Sequence, residues 1–190
     1  MTSGLVEAPN RCGYNPEYAM GSGGVMRFIK VLLALALASM VAACATQQAM
    51  TVSASAVANP SPKYKNAVVV RSVAGGAPMD ALTRPGVPNE PLKAALEDSL
   101  RASGYLASGA PKYQVDAEIN NLQQPFAGLD LDVTADVTYK VSGAGSVATY
   151  PIKSMGQATF SDSPIAADRL RIANERAMQE NIKQFLQALK

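Results

Sequence analysis

The sequence predicts an α+β fold: a four-stranded, mainly antiparallel sheet with two helices on one face, in the order β-α-β-β-β-α. Three observations carry that expectation. Two stretches alternate apolar and polar residues with period two, the mark of an antiparallel sheet that is wet on one side. Two other stretches repeat apolar residues at helical spacing. A short β-branched run precedes them all.

The elements follow in order. Ala67–Val70, continued by Arg71-Ser72-Val73, is the first strand. Ala74 to Pro88 holds three glycines and three prolines and reads as a long loop, the kind of segment that often carries binding function. Its Gly75-Gly76 pair lacks the flanking residues of a phosphate-cradling motif. Asn89 is placed to cap a helix with Glu90 and Pro91 in its first turn. Leu92, Leu96 and Leu100, flanked by Ala95 and Ser99, form its apolar stripe, and Gly104 is placed to end it in a left-handed conformation.

Tyr113, Val115, Ala117 and Ile119 then alternate with Gln114, Asp116, Glu118 and Asn120. Leu129 through Val141 alternates in the same way with Asp130, Asp132, Thr134, Asp136, Thr138 and Lys140. Ser142–Ser146 is a hairpin loop into a last strand near Ile152–Phe160, with Pro151 suited to a position away from a central ladder. Ser163-Pro164 opens the final helix. Ala166, Leu170, Ala173, Ala177, Met178, Ile182, Phe185 and Leu189 fall on one arc, with Arg169, Arg176, Glu180, Lys183 and Gln187 opposite.

The start of the chain has a different character. Arg27 and Lys30 precede the apolar run Val31–Ala38, and small residues lead to Cys44. A cationic start, a short apolar run and small residues before a cut describe an export signal. The run is too short to span the ~30 Å hydrocarbon core, which takes ~20 residues. Val41-Ala42-Ala43-Cys44 resembles the lipobox of bacterial lipoproteins. That resemblance implies cleavage between Ala43 and Cys44, diacylglycerol on the Cys44 sulfur, and an acyl chain such as palmitate on the new N-terminus. Several chains together anchor firmly, at ~0.8 kcal/mol per buried methylene.

Four regions follow from this. Residues 1–25 fit no export signal and read as a start assigned too early or as an extension. Residues 26–43 are the signal, 44–64 the lipidated cysteine and an uncharged, flexible tether, and 65–190 a single folded domain. Removing Arg11, Arg27 and Lys30 from the seventeen basic residues, and Glu7 and Glu17 from the fifteen acidic ones, leaves fourteen and thirteen, a near-neutral mature chain. That balance argues against nucleic-acid binding. The chain has no histidine, and Cys12 and Cys44 are its two cysteines. The usual general base and the usual zinc ligands are thus missing, and neither catalytic residues nor a cofactor or metal is expected.

A second resemblance covers most of 90–188. Glu97–Tyr105, the two alternating strands, Phe160-Ser161-Asp162 and Asn181-Ile182 are similar to YajG-type uncharacterised lipoproteins. It implies a lipid-anchored protein on the periplasmic face of the outer membrane, without known catalytic residues. Two functions are compatible: a non-enzymatic accessory or adaptor with an envelope protein as partner, or a periplasmic binder of a lipid or other apolar ligand, in lipid or lipopolysaccharide transport. Asn174 and Asn181, seven apart within the apolar arc, could contact such a partner or ligand, or could bond to neighbouring backbone. Asp116, Glu118, Asp130, Asp132 and Asp136, relieved by Lys140, read as a solvated sheet face more readily than as a cation site.

Overall fold

A computed structural model describes residues 49–56, 60–78 and 85–189. The order is β1 (Val68–Ala74), α1 (Asn89–Ala102), β2 (Tyr113–Gln123), β3 (Leu131–Gly143), β4 (Ser146–Ala158) and α2 (Ala166–Ala188). The strands lie in sequence order across one sheet. β1 pairs with β2 in parallel through the α1 crossover, and β2–β3 and β3–β4 are antiparallel. The predicted α+β order is therefore the observed one.

Local chemistry explains most boundaries. The β3–β4 turn puts Ala144 and Gly145 at positive φ, 50° and 76°, as a two-residue turn of primed type requires. Gly104, at φ 73°, closes α1, and the Tyr105 and Leu106 amides donate back to the Leu100 carbonyl. Asn89 does not cap α1 as predicted. Pro88 holds the cap position, and the Asn89 side-chain carbonyl accepts from the Gly76 amide at 2.8 Å, tying the long loop to the helix. At α2 the cap position falls to Ile165, two residues beyond Ser163, whose hydroxyl accepts from the Ile165 amide.

α1 lies chiefly against β1 and α2 against β3 and β4, and one core joins the inward positions of the strands to Leu92, Leu96 and Leu100 of α1 and Met178, Ile182 and Phe185 of α2. Phe185 stacks on Tyr139 with ring centres 4.0 Å apart, and Tyr150 meets it edge-on. Leu129 departs from its predicted inward place. β3 begins two residues later, and Leu129 stands 71% exposed.

The packed region also begins well before residue 65. Met50, Val52 and Tyr64 are buried. The Val52 amide donates to Ser99 Oγ on α1, and Gln179 and Gln187 on α2 donate to the carbonyls of Thr51 and Ala56. The segment predicted to be a free tether thus bridges the two helices. Its average composition is that of a linker, yet Met50, in helical backbone, and Val52, just beyond it, are both buried.

Candidate functional site

Cys44 and Ala43, with the whole lipobox, lie outside the described residues. Asn174 and Asn181 are described, and both are committed within the chain. Asn181 is fully buried. Its carbonyl accepts from the Tyr139 hydroxyl at 2.9 Å, and its amide nitrogen donates to Ser154 Oγ and to the carbonyls of Ile152 and Ala135. It cross-links α2 to β3 and β4. Burial pushes the Tyr139 phenol far above the ordinary tyrosine range, so the group serves as a neutral donor. Asn174 donates to the Pro85 carbonyl at 2.7 Å and accepts from Gln124, pinning the end of the long loop to the N-terminal half of α2. Buried amides cost free energy when unpaired, and both are paired here.

The contact between α2 and β4 is unusually close. Gly156 faces the backbone of Ala173 and Ala177, and a β-carbon at 156 would collide with it. Ser154 Oγ donates to the Ala177 carbonyl at 2.8 Å beside it. Small residues bring helix and strand backbones together, and polar bonds then fix the register.

The carboxylates of the open sheet face do not converge. Asp116 is held by Arg71 and Ser72, and the Arg71 guanidinium keeps its carboxyl below the usual range. Asp136 accepts from Asn120 and stands opposite Lys153. Among the described residues, no three His, Cys, Asp or Glu side chains are grouped to hold a metal ion. A small cleft of about 190 Å³ lies between Gly75–Ala77, Val87 and Ile119–Leu122. It falls short of the ~300–1,000 Å³ typical of ligand sites.

One feature escaped the sequence pattern. Four large apolar side chains stand in solvent on two loops at one end of the sheet. They are Phe126 (99% exposed) and Leu129 between β2 and β3, and Phe160 (55%) and Ile165 (59%) between β4 and α2. Arg169, placed on the wet arc by periodicity, is only 4% exposed beneath these loops. It donates to the Ser163 carbonyl at 2.8 Å and to the Gly128 carbonyl at 3.3 Å, and its guanidinium lies 5.5 Å from the centre of the Phe160 ring. Its Nε has no hydrogen-bond partner among the described residues. The arginine therefore fastens both loops from below and leaves their apolar tips outward. A Pro-Phe-Ala-Gly sequence between two strands was the available signal, since a loop aromatic has no core to enter.

No protein-family profile matches the chain, and no curated protein is significantly similar to it. Fourteen chains of solved structure do match. One is described as a candidate lipoprotein from Caulobacter crescentus CB15, with 13% identity over 67% of this chain and 90% of that one, at a TM-score of 0.42. Another is an uncharacterized protein, 11% identical over 66% and 94% of the two chains, at 0.48. A third is the hypothetical protein CT253 from Chlamydia trachomatis, 15% identical over 66% and 93%, at 0.42.

Proposed function

We propose that this chain is an envelope lipoprotein, held by lipid on Cys44 at the periplasmic face of the outer membrane and acting as a non-enzymatic accessory or adaptor domain. The observation that carries the proposal is the sequence Val41-Ala42-Ala43-Cys44 directly after a short, charge-led apolar run. Ala45 follows the cysteine, without the aspartate that commonly retains lipoproteins in the inner membrane of enteric bacteria. The architecture supports an adaptor. The buried side chains form one shared core, its buried asparagines bond within the chain, and among the described residues no element covers the outer face of the sheet. Such a face offers a broad polar surface to a protein partner, while the small cleft beside Gly75 has little room for an acyl chain.

The test is the maturation of Cys44. Globomycin, which blocks lipoprotein signal peptidase, should make a larger precursor accumulate, and Cys44→Ala should release the protein from membranes. Unchanged size and membrane association under both treatments would refute the anchor. Recovery in inner-membrane fractions would refute the location. For the adaptor, crosslinking in intact cells followed by mass spectrometry should capture a specific envelope protein, and co-purified lipid in its place would favour the apolar-ligand binder.

A further inference from the structure

We infer that the loop end bearing Phe126, Leu129, Phe160 and Ile165 rests on the bilayer that holds the Cys44 lipid, so that the domain docks against its own membrane in a fixed orientation. The inference rests on the proposed lipidation for its anchor and adds a surface to it.

Four of the six large exposed hydrophobic side chains among the described residues are these loop residues. The other two, Val147 and Met155, lie on β4. The two loops belong to one end of the fold because Leu131, where β3 begins, pairs with Ala158, where β4 ends. Both loops touch Arg169 at the start of α2. Their tips are thus braced from beneath, with bare aromatic and aliphatic groups outward. Phenylalanine and leucine presented in this way suit the boundary between headgroups and acyl chains, where interfacial segments bury apolar groups to a depth of ~5–10 Å.

The packed N-terminal segment says which surface is within reach. Thr51 meets Gln179 and Ala56 meets Gln187, so the chain runs alongside α2 in the same direction. The Thr51 end of this segment is therefore the one nearer the N-terminal end of α2, where the exposed loops lie. From Gln179 back to Ala166 is thirteen residues, ~20 Å at 1.5 Å each. From Thr51 back to Cys44 is seven; Ala49 and Met50 are helical, so even with the other steps fully extended the span is at most ~20 Å. The lipid is therefore within reach of this end of the domain. A surface too weak to bind a membrane alone becomes occupied when the anchor holds it at high local concentration.

The chain contains no tryptophan, so each introduced one is a unique reporter. The full lipidated protein is purified from membranes carrying Phe126→Trp, Leu129→Trp or, as the control, Val147→Trp beside the β3–β4 turn. Each is reconstituted in phosphatidylcholine–phosphatidylglycerol vesicles with or without brominated acyl chains, and the mass of the N-terminal peptide is read separately. The expected result is emission at shorter wavelength, and quenching by brominated lipid, at positions 126 and 129 but not at 147. A lipidated protein that floats with vesicles while 126 and 129 stay unquenched overturns the docking and leaves the anchor standing. Equal quenching at 147 also overturns it, because the orientation is then not fixed. An unmodified Cys44 refutes the anchor; quenching at 126 and 129 on added vesicles would then still support the surface, and its absence would overturn both. A photocrosslinker at 126 that captures a protein in cells, in place of lipid, overturns the membrane as occupant.

Discussion

The two helices cover the same sheet by different means. α1 lies against its neighbours through large aliphatic side chains: Leu92, Leu96 and Leu100 pack into a core with Val68 and Val70 of β1. α2 sits on β4 through the absence of side chains, with Gly156 under Ala173 and Ala177, and is locked by Ser154 and Asn181. The first contact is apolar area, which is roughly additive and forgiving of shape. The second is a close backbone approach with directional bonds, and little can move within it. Substitutions that respect polarity should therefore be tolerated under α1 and punished under α2.

The strongest way to break this contrast is Gly156→Val. Leu96→Ala should cost ~2–5 kcal/mol, the usual range for a buried leucine that leaves a cavity. Gly156→Val adds a β-carbon and two methyl groups and removes nothing, yet should destabilise at least as much, because the atoms the β-carbon meets are helix backbone. Urea unfolding of the two variants decides it. A Gly156→Val protein with an unchanged midpoint would mean that α2 sits farther from β4.

The next substitution tests the bonds. Asn181→Leu is close to isosteric and keeps apolar volume, but it strands the Tyr139 hydroxyl and removes the donor to the carbonyls of Ile152 and Ala135. Each buried group left unpaired costs ~1–3 kcal/mol. The double variant Asn181→Leu, Tyr139→Phe should recover part of the loss, since it removes both partners of one bond. If the single variant is as stable as the parent, the network is ornamental and the helix is held by Phe185 and its neighbours alone.

This difference also governs how much could be read from sequence. The α1 side is written in a pattern: leucines every four residues, and strands alternating with period two. Those elements and the overall order were legible. At α2, periodicity placed Arg169 in solvent and left Asn174 and Asn181 ambiguous, because a helical wheel carries no information about what folds over it. Arg169 is buried between the loop that leads into α2 and a second loop, at Gly128, that arrives from elsewhere in the chain. Nothing in the strand pattern marks Gly156, since the need for it arises from a helix some twenty residues later. Met50 and Val52 were diluted by a low-complexity surround, and their burial depends on a seam between helices that no local window contains. The Phe126–Ile165 surface was missed for a related reason: Leu129 continued the alternation of β3, and only the register shows that the strand had not begun.

The smallest expected effect separates two carboxylate–arginine links, one on each side of the sheet. Asp116 joins Arg71 across the exposed face of β1 and β2. Asp162 does more: it pairs with Arg176 of α2 at 2.7 Å and accepts the Thr159 amide, while Arg176 also donates to the Gln157 carbonyl at the end of β4. Both carboxyls are held below the usual range, foremost by their arginines, and Asp162 the more strongly. A carboxylate with a depressed folded pKa stabilises the protein above its unfolded value near ~4, and this contribution fades as pH falls through the folded value. Both pairs reach the surface through their half-exposed arginines, so the effects are modest and salt-sensitive. Asp162→Asn should nevertheless flatten the fall in Tm between pH 6 and pH 2 more than Asp116→Asn does, because it alone ties strand end, turn and helix together. Parallel acid profiles for the two variants would show that the Asp162 turn is a surface pair like the other, and that the α2 side is held from within.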